Sequence, residues 1–197
     1  MKIFLSFVLL IFGIFANAQT YVEKINAYQK ELNESFKDTV HSPLLKEEIA
    51  SFDHLDFFPI SENYQVKAKF IKKRGKKFEM MTSTDRKPIY RSVGTLHFVL
   101  NQETLVLTVY KNIKLSKNKA YKNYLFIPFK DLTNGTESYG GGRYLDIQKP
   151  EKGQRWVLDF NKCYNPYCAY NHNYSCPIPP RENHLKVKIE AGVKVYH

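Results

Sequence analysis

The chain has 197 residues, with 30 basic against 19 acidic side chains for a formal net charge of +11, 43% hydrophobic residues and three cysteines. That length supports one domain with a sizeable core and is short for two. The positive charge is spread over nearly every turn (Lys72, Lys73, Arg74, Lys76, Lys77; Lys111, Lys114, Lys117, Lys119, Lys122), as in solvated loops and guarded strand edges. With no recognition helix in view, nucleic acid is excluded as the expected partner, whereas weak association with an anionic envelope surface fits the charge.

At the start, Lys2, the apolar run Ile3 to Phe15 and the small-x-small triplet Ala16-Asn17-Ala18 have the order of an export signal, residues 1–18. The run is too short by roughly a third to span a bilayer, and no second run follows, so the expected product is not transmembrane after cleavage. Cleavage would leave 179 residues, remove only Lys2 from the charged set and take the balance from +11 to +10. The expected location is periplasmic or secreted.

Residues 19–50 form an N-terminal helical segment. Val22, Ile25, Leu32 and Phe36 recur at helical spacing from Tyr21 to about Lys37, with Glu23, Lys24, Lys30, Glu31 and Glu34 on the other face. Ser42-Pro43 has the form of a cap with proline in the first turn, and predicts a second, short helix ending near Ser51.

The β domain, residues 51–197, begins where the period changes to two. Tyr64, Val66, Ala68 and Phe70 alternate with Gln65, Lys67 and Lys69, which is a half-buried strand. Further strands are expected at about 78–82, 95–100, 103–110, 124–129, 143–147, 155–160, 185–189 and 193–196, with Asn101-Gln102 as a hairpin turn. Short strands at this spacing predict a mainly β fold, an antiparallel β-sandwich or open β-barrel with one or two N-terminal helices.

The stretch 131–185 concentrates the unusual residues: three cysteines, the single tryptophan, most prolines and Gly140-Gly141-Gly142. Neither the lysine nor the helix of a phosphate loop follows the glycines, which reads as a bulge. On the strand at 155–160, Trp156, Leu158 and Phe160 share one face and leave Val157 and Asp159 on the other; a carboxylate on so apolar a strand calls for a cation, and Arg143, at the start of the strand after the glycines, is the expected partner.

Cys163, Cys168 and Cys176 admit three readings. Cys168 and Cys176 would close a loop of about nine residues as a disulfide, stabilising by roughly 2–3 kcal/mol if unstrained. Cys163, Cys168, His172 and Cys176 have the donor types for tetrahedral zinc, but their spacing matches no known finger, and no metal is favoured. Alternatively, Cys168 or Cys176 is a nucleophile with His172 or His184 as base. No pattern implies a cofactor.

The runs TNGTESYGGGRYLDI, VLDFNKCYNPYCAYNHNYSCPIPPRENHL and IEAGVK resemble the uncharacterised bacterial family catalogued as domain of unknown function 1684. The signature parts fall on Gly142, Arg143, Tyr144 and Leu145; on Asp159, Phe160, Asn161, Tyr164, Asn165, Pro166, Cys168 and Ala169; and on Cys176, Pro177, Pro179, Pro180, Glu182, Asn183 and Leu185. The resemblance covers about 51–194. It implies that Arg143, Asp159, Asn161, Tyr164, Asn165, Glu182 and Asn183 work as one set with Cys168 and Cys176, and that Cys163 is the spare thiol.

Two functions and one bland alternative follow. The first is an exported module binding a small molecule or glycan-like ligand in a polar pocket around 140–183. The second is an extracytoplasmic hydrolase or transferase using Cys168 or Asp159 with a histidine. Under the third, the proline-rich signature region is purely a folding device.

Overall fold

One main helix, a second of a single turn and one strongly curved antiparallel sheet dominate the computed structural model, which describes residues 19–196. The expected export signal at 1–18 lies outside those residues. Helix α1, Tyr21–Lys37, starts at a capping box: the Thr20 hydroxyl accepts from Glu23 N at 3.3 Å, and the Glu23 carboxylate accepts from Thr20 N at 2.7 Å. It buries Ile25 and Phe36. Helix α2 is a single turn, Lys46–Ile49, and begins later than Ser42-Pro43 suggested. The reason is local: the Ser42 hydroxyl donates back to Phe36 O at 2.6 Å and accepts from Leu44 N at 3.2 Å, so it closes a bend after α1 and caps nothing ahead.

Seven strands follow: β1 Gln65–Lys72, β2 Lys77–Glu79, β3 Ile89–Leu100, β4 Glu103–Asn112, β5 Tyr124–Phe129, β6 Arg143–Gln148 and β7 Trp156–Asp159. They pair antiparallel in the order β6-β5-β4-β3-β1-β7, with β2 added on β3. The sheet curls until its two ends share a core. Phe160, just past β7, lies 5.6 Å in ring centroids from both Phe98 on β3 and Phe129 on β5. The edge strands β6 and β7 are not paired with each other; instead Tyr144 and Tyr164 exchange backbone hydrogen bonds of 2.9 and 3.1 Å beside the gap. Of the two architectures expected, the nearly closed barrel is the one formed.

The inward rows are Val66-Ala68-Phe70 on β1, Leu96-Phe98-Leu100 on β3, Leu105-Leu107-Val109 on β4, Leu125-Ile127-Phe129 on β5, Leu145-Ile147 on β6 and Trp156-Leu158 on β7. A second cluster covers the outer face of the sheet, with Met80, Tyr90, Tyr110, Phe126, Tyr144 and Cys176. A third, Phe36, Leu44, Leu55, Tyr170 and Val193, seats α1.

Three strand expectations are corrected. β3 starts at Ile89, six residues before the alternation showed it, because a register shift between Ser92 and Gly94 breaks the period. β2 is shorter than expected, Lys77–Glu79. The stretches 185–189 and 193–196 form no ladder; they run extended, touching the fold through single bridges such as Lys130 with His184 and Phe57 with Val193. Leu185, Ile189 and Val193 are nevertheless buried, so their pattern marked burial and not strand pairing.

Asn101 and Gln102 both have positive φ, 50° and 68°, the two-residue turn whose twist matches a hairpin. Only glycine and asparagine hold that conformation at little cost. Gln102→Gly should therefore raise stability, by up to about 1 kcal/mol, read as a higher urea midpoint at unchanged slope.

Candidate functional site

Arg143 is fully buried, and it pairs with Asp131, not with Asp159. Its Nη2 donates to Asp131 Oδ2 at 2.7 Å, to Ile189 O at 2.7 Å and to Thr133 Oγ1 at 3.3 Å, while Nη1 donates to Ala191 O at 2.5 Å. The guanidinium lies 5.6 Å from the ring centroids of both Phe58 and Phe129. Asp131 Oδ1 accepts from Thr133 N at 2.8 Å, Thr133 Oγ1 at 2.6 Å and Ile189 N at 3.2 Å. This knot plugs one end of the barrel with the extended C-terminal segment. The expected Arg143–Asp159 pair fails because the two lie on different faces: Arg143 points inward in line with Leu145, and Asp159 points away from Leu158 and Phe160. Asp159 instead accepts from Tyr21 Oη at 2.9 Å, Asn161 N at 3.2 Å and Gln65 Nε2 at 3.3 Å, a clasp for α1.

The other signature residues are committed to the backbone or to one another. Asn161 binds both the N–H and the carbonyl of Ser61, at 3.1 and 2.9 Å. Asn165 donates to Lys194 O at 2.8 Å. Asn183 accepts from Thr108 N at 2.7 Å and donates to Thr108 O and Pro128 O at 2.9 and 2.8 Å, acting as a rung where β4 and β5 share only the Tyr110–Phe126 pair. Glu182 accepts from Tyr110 Oη at 2.6 Å, and Tyr164 donates to Asp146 at 2.7 Å. The set is thus distributed over several tethers that surround no common centre.

The three cysteines are free thiols in two places. Cys163 is fully buried in the barrel core, and burial holds its thiol well above the usual range. Cys168 and Cys176 lie together on the outer face, with Cys168 N donating to Cys176 Sγ at 3.2 Å. The four proposed zinc donors do not converge, and among the described residues no three His, Cys, Asp or Glu side chains gather as a metal set. Among the described residues, no histidine nitrogen hydrogen-bonds either thiol of the pair; His184 faces Pro179 O at 3.1 Å, and His172 is exposed.

At the barrel end opposite the plug, the inward rows finish in cations. Phe70 is followed by Lys72, Val109 by Lys111 and Ile147 by Lys149, and Arg91 lies beyond the bulge in β3. Two adjoining cavities open here. One, of about 460 Å³, is lined by Lys72, Arg74, Arg91, Val93, Lys111, Ile113, Ser116 and Lys149. The other, of about 220 Å³, shares Lys72, Val93, Lys111 and Lys149 and adds Lys122, Asn123, Leu125 and the rings of Phe70 and Trp156, stacked at 4.4 Å. Among the described residues, no acidic side chain lines either cavity. Lys77, Arg91 and Lys111 stand directly opposite one another across β2, β3 and β4, an arrangement of like charges that costs stability. Arg91 Nε is buried with no hydrogen-bond partner among the described residues. Lys77 turns to a larger groove of about 1120 Å³ on the outside of β2, where the signs are mixed, with Glu79 3.9 Å from Lys87. The mouth was missed in the sequence because its lysines read individually as solvated turns; the signal was that each closes an inward apolar row.

A curled antiparallel sheet plugged at one end by a buried arginine, open at the other through a basic mouth and wrapped by an asparagine- and proline-rich loop defines the class of domain. The profile of the family described as "Protein of unknown function (DUF1684)" matches residues 50–194, and the chain belongs to that family. Among solved structures, it is similar to the solution NMR structure of the uncharacterized protein from gene locus rrnAC0354 of Haloarcula marismortui, at 34% identity and a TM-score of 0.66, covering 87% of this chain and 92% of that one. No curated protein matches the chain.

Removing one partner of the plug should be far worse than removing both. Asp131→Asn or Arg143→Met alone is expected to cost about 3–5 kcal/mol by leaving an uncompensated buried group, with the double variant recovering part of the loss. Urea unfolding of the four proteins measures the coupling.

Proposed function

We propose that the protein is a binding module for a small amphipathic anion, held in the basic mouth of the barrel. The observation that carries this reading is the row of Arg91 and Lys111, cations in register, joined by Lys72, Arg74 and Lys149 around one cavity, with no carboxylate among the residues lining the two cavities. A fold gains nothing from such a row, and an anion seated between the cations removes the repulsion. The stacked Phe70 and Trp156 rings, with Val93 and Leu125, supply an apolar floor for the body of the ligand. The larger cavity lies within the ~300–1,000 Å³ span of small-molecule sites, and barrel mouths are common places for them. A carboxylate, sulfate or phosphate head on an apolar or aromatic body fits the chemistry; glycan-like ligands fit only if they carry such a group. In this reading the module works outside the cytoplasm, in line with the leader-like sequence at 1–18.

The test uses 8-anilinonaphthalene-1-sulfonate as the anionic aromatic probe and N-phenyl-1-naphthylamine as its uncharged counterpart. Saturable sulfonate binding is expected to weaken about tenfold in Arg91→Gln and Lys149→Gln, while the uncharged dye changes little. Raising salt should weaken the sulfonate alone. Arg91→Gln is also expected to raise thermal stability slightly as it lowers affinity, because it relieves the like-charge row. Unchanged sulfonate affinity in both variants would overturn the placement.

A further inference from the structure

We propose that Cys168 and Cys176 form a dithiol–disulfide exchange site for small disulfides, with Cys168 as the attacking thiolate and Cys176 as the resolving thiol. The two sulfurs are held together and exposed unequally. Cys168 sits on the short turn Tyr167–Ala169 and is half-buried, whereas Cys176 is 8% exposed within the aromatic cluster beneath. The Cys168 N–H donates to Cys176 Sγ at 3.2 Å. The Tyr139 hydroxyl lies 3.8 Å from Cys168 Sγ. Cys176 is anchored to Ser83 in both directions: its N–H donates to Ser83 Oγ at 3.1 Å, and its carbonyl accepts from Ser83 N at 2.9 Å. An approaching molecule therefore meets Cys168 first.

The thiols are also electrically unequal. Hydrogen bonding from the Cys176 thiol, assisted by Tyr139 and Ser83, brings Cys168 down to about 6, against the opposing effect of burial. The same contact, with burial, pushes Cys176 well up, against the Cys168 N–H that donates to its sulfur and the nearby Arg86 cation. Cys176 thus stays protonated while Cys168 is a thiolate, and that restraint ends when Cys168 is consumed. A thiolate of moderately lowered pKa keeps most of its nucleophilicity near neutral pH.

The steps balance. The Cys168 thiolate attacks one sulfur of a disulfide RSSR, forming Cys168–S–S–R as the original S–S bond breaks and releasing RS⁻, which takes a proton from water. Cys176 loses its proton to solvent and attacks Cys168 sulfur, expelling the second RS⁻, which is protonated in turn. Two protein thiols are oxidised and one RSSR is reduced to two RSH. The protein disulfide then ties the turn at Cys168 to the strand-like segment at Cys176, so the bond expected between these residues is the oxidised state of the site.

The full chain, reduced, is incubated at neutral pH with oxidised glutathione, quenched with acid and weighed intact. Wild type should lose two hydrogens and carry no adduct; Cys176→Ser should stop with one glutathione on Cys168; Cys168→Ser should react at least tenfold more slowly; Cys163→Ala should behave as wild type. Carboxamidomethylation of Cys168 should rise through about pH 6 in wild type and at higher pH in Tyr139→Phe. An unmodified Cys176→Ser, a wild type that stops at the glutathione adduct, or equal reactivity of Cys168→Ser and wild type would each overturn the proposal, and circular dichroism of every variant separates these results from misfolding.

Discussion

The barrel depends on one buried charge and the groups that compensate it. A guanidinium withdrawn from water incurs several kcal/mol of desolvation, which is recovered only with near-complete pairing. Around the two Nη atoms of Arg143 that pairing comes from a carboxylate, a hydroxyl, two well-placed carbonyls and two aromatic faces, drawn from Phe58, Phe129, Asp131, Thr133 and the 189–191 segment, while Nε has no partner among the described residues. Each contributor is fixed in place because the charge admits no substitute. The pair adds little net stability over a good apolar plug; its effect is to specify one arrangement of distant segments.

The same row of β6 also gives the barrel its polarity. Arg143, Leu145, Ile147 and Lys149 face one way along a single strand. At one end the cation is sealed and paired; at the other it meets further cations around a cavity. Arg143 Nε, like Arg91 Nε at the far end, has no partner among the described residues, but both Arg143 Nη atoms are paired, and this contrast within one strand separates the plugged end from the basic mouth.

Much of the scaffold was legible in the chain. Alternation located β1 and β4, and Thr20 followed by Glu23 marks the start of α1 in a way that the apolar spacing had already indicated. The failures are physical. The bulge at Ser92–Gly94 shifted the period and hid half of β3. Leu185, Ile189 and Val193 alternate because they are buried, and burial alone cannot distinguish a ladder from an extended strap. The partner of Arg143 was open to reasoning by faces: Asp159 had been placed opposite the inward row, and the same rule applied to β6 excludes it. That Lys72, Lys111 and Lys149 each close an inward apolar row was visible in the sequence, but only the strand order makes them neighbours of one another and of Arg91.

Closure by the strap at 184–196 has a consequence for how the chain acquires its structure. Compensation of Arg143 requires the carbonyls of Ile189 and Ala191, 46 and 48 residues further along the chain, so the interior cannot be completed until that segment is in place. Contacts of such long sequence separation form slowly. The 189–191 segment thus acts as a latch: the interior stays incomplete until that segment docks against Arg143.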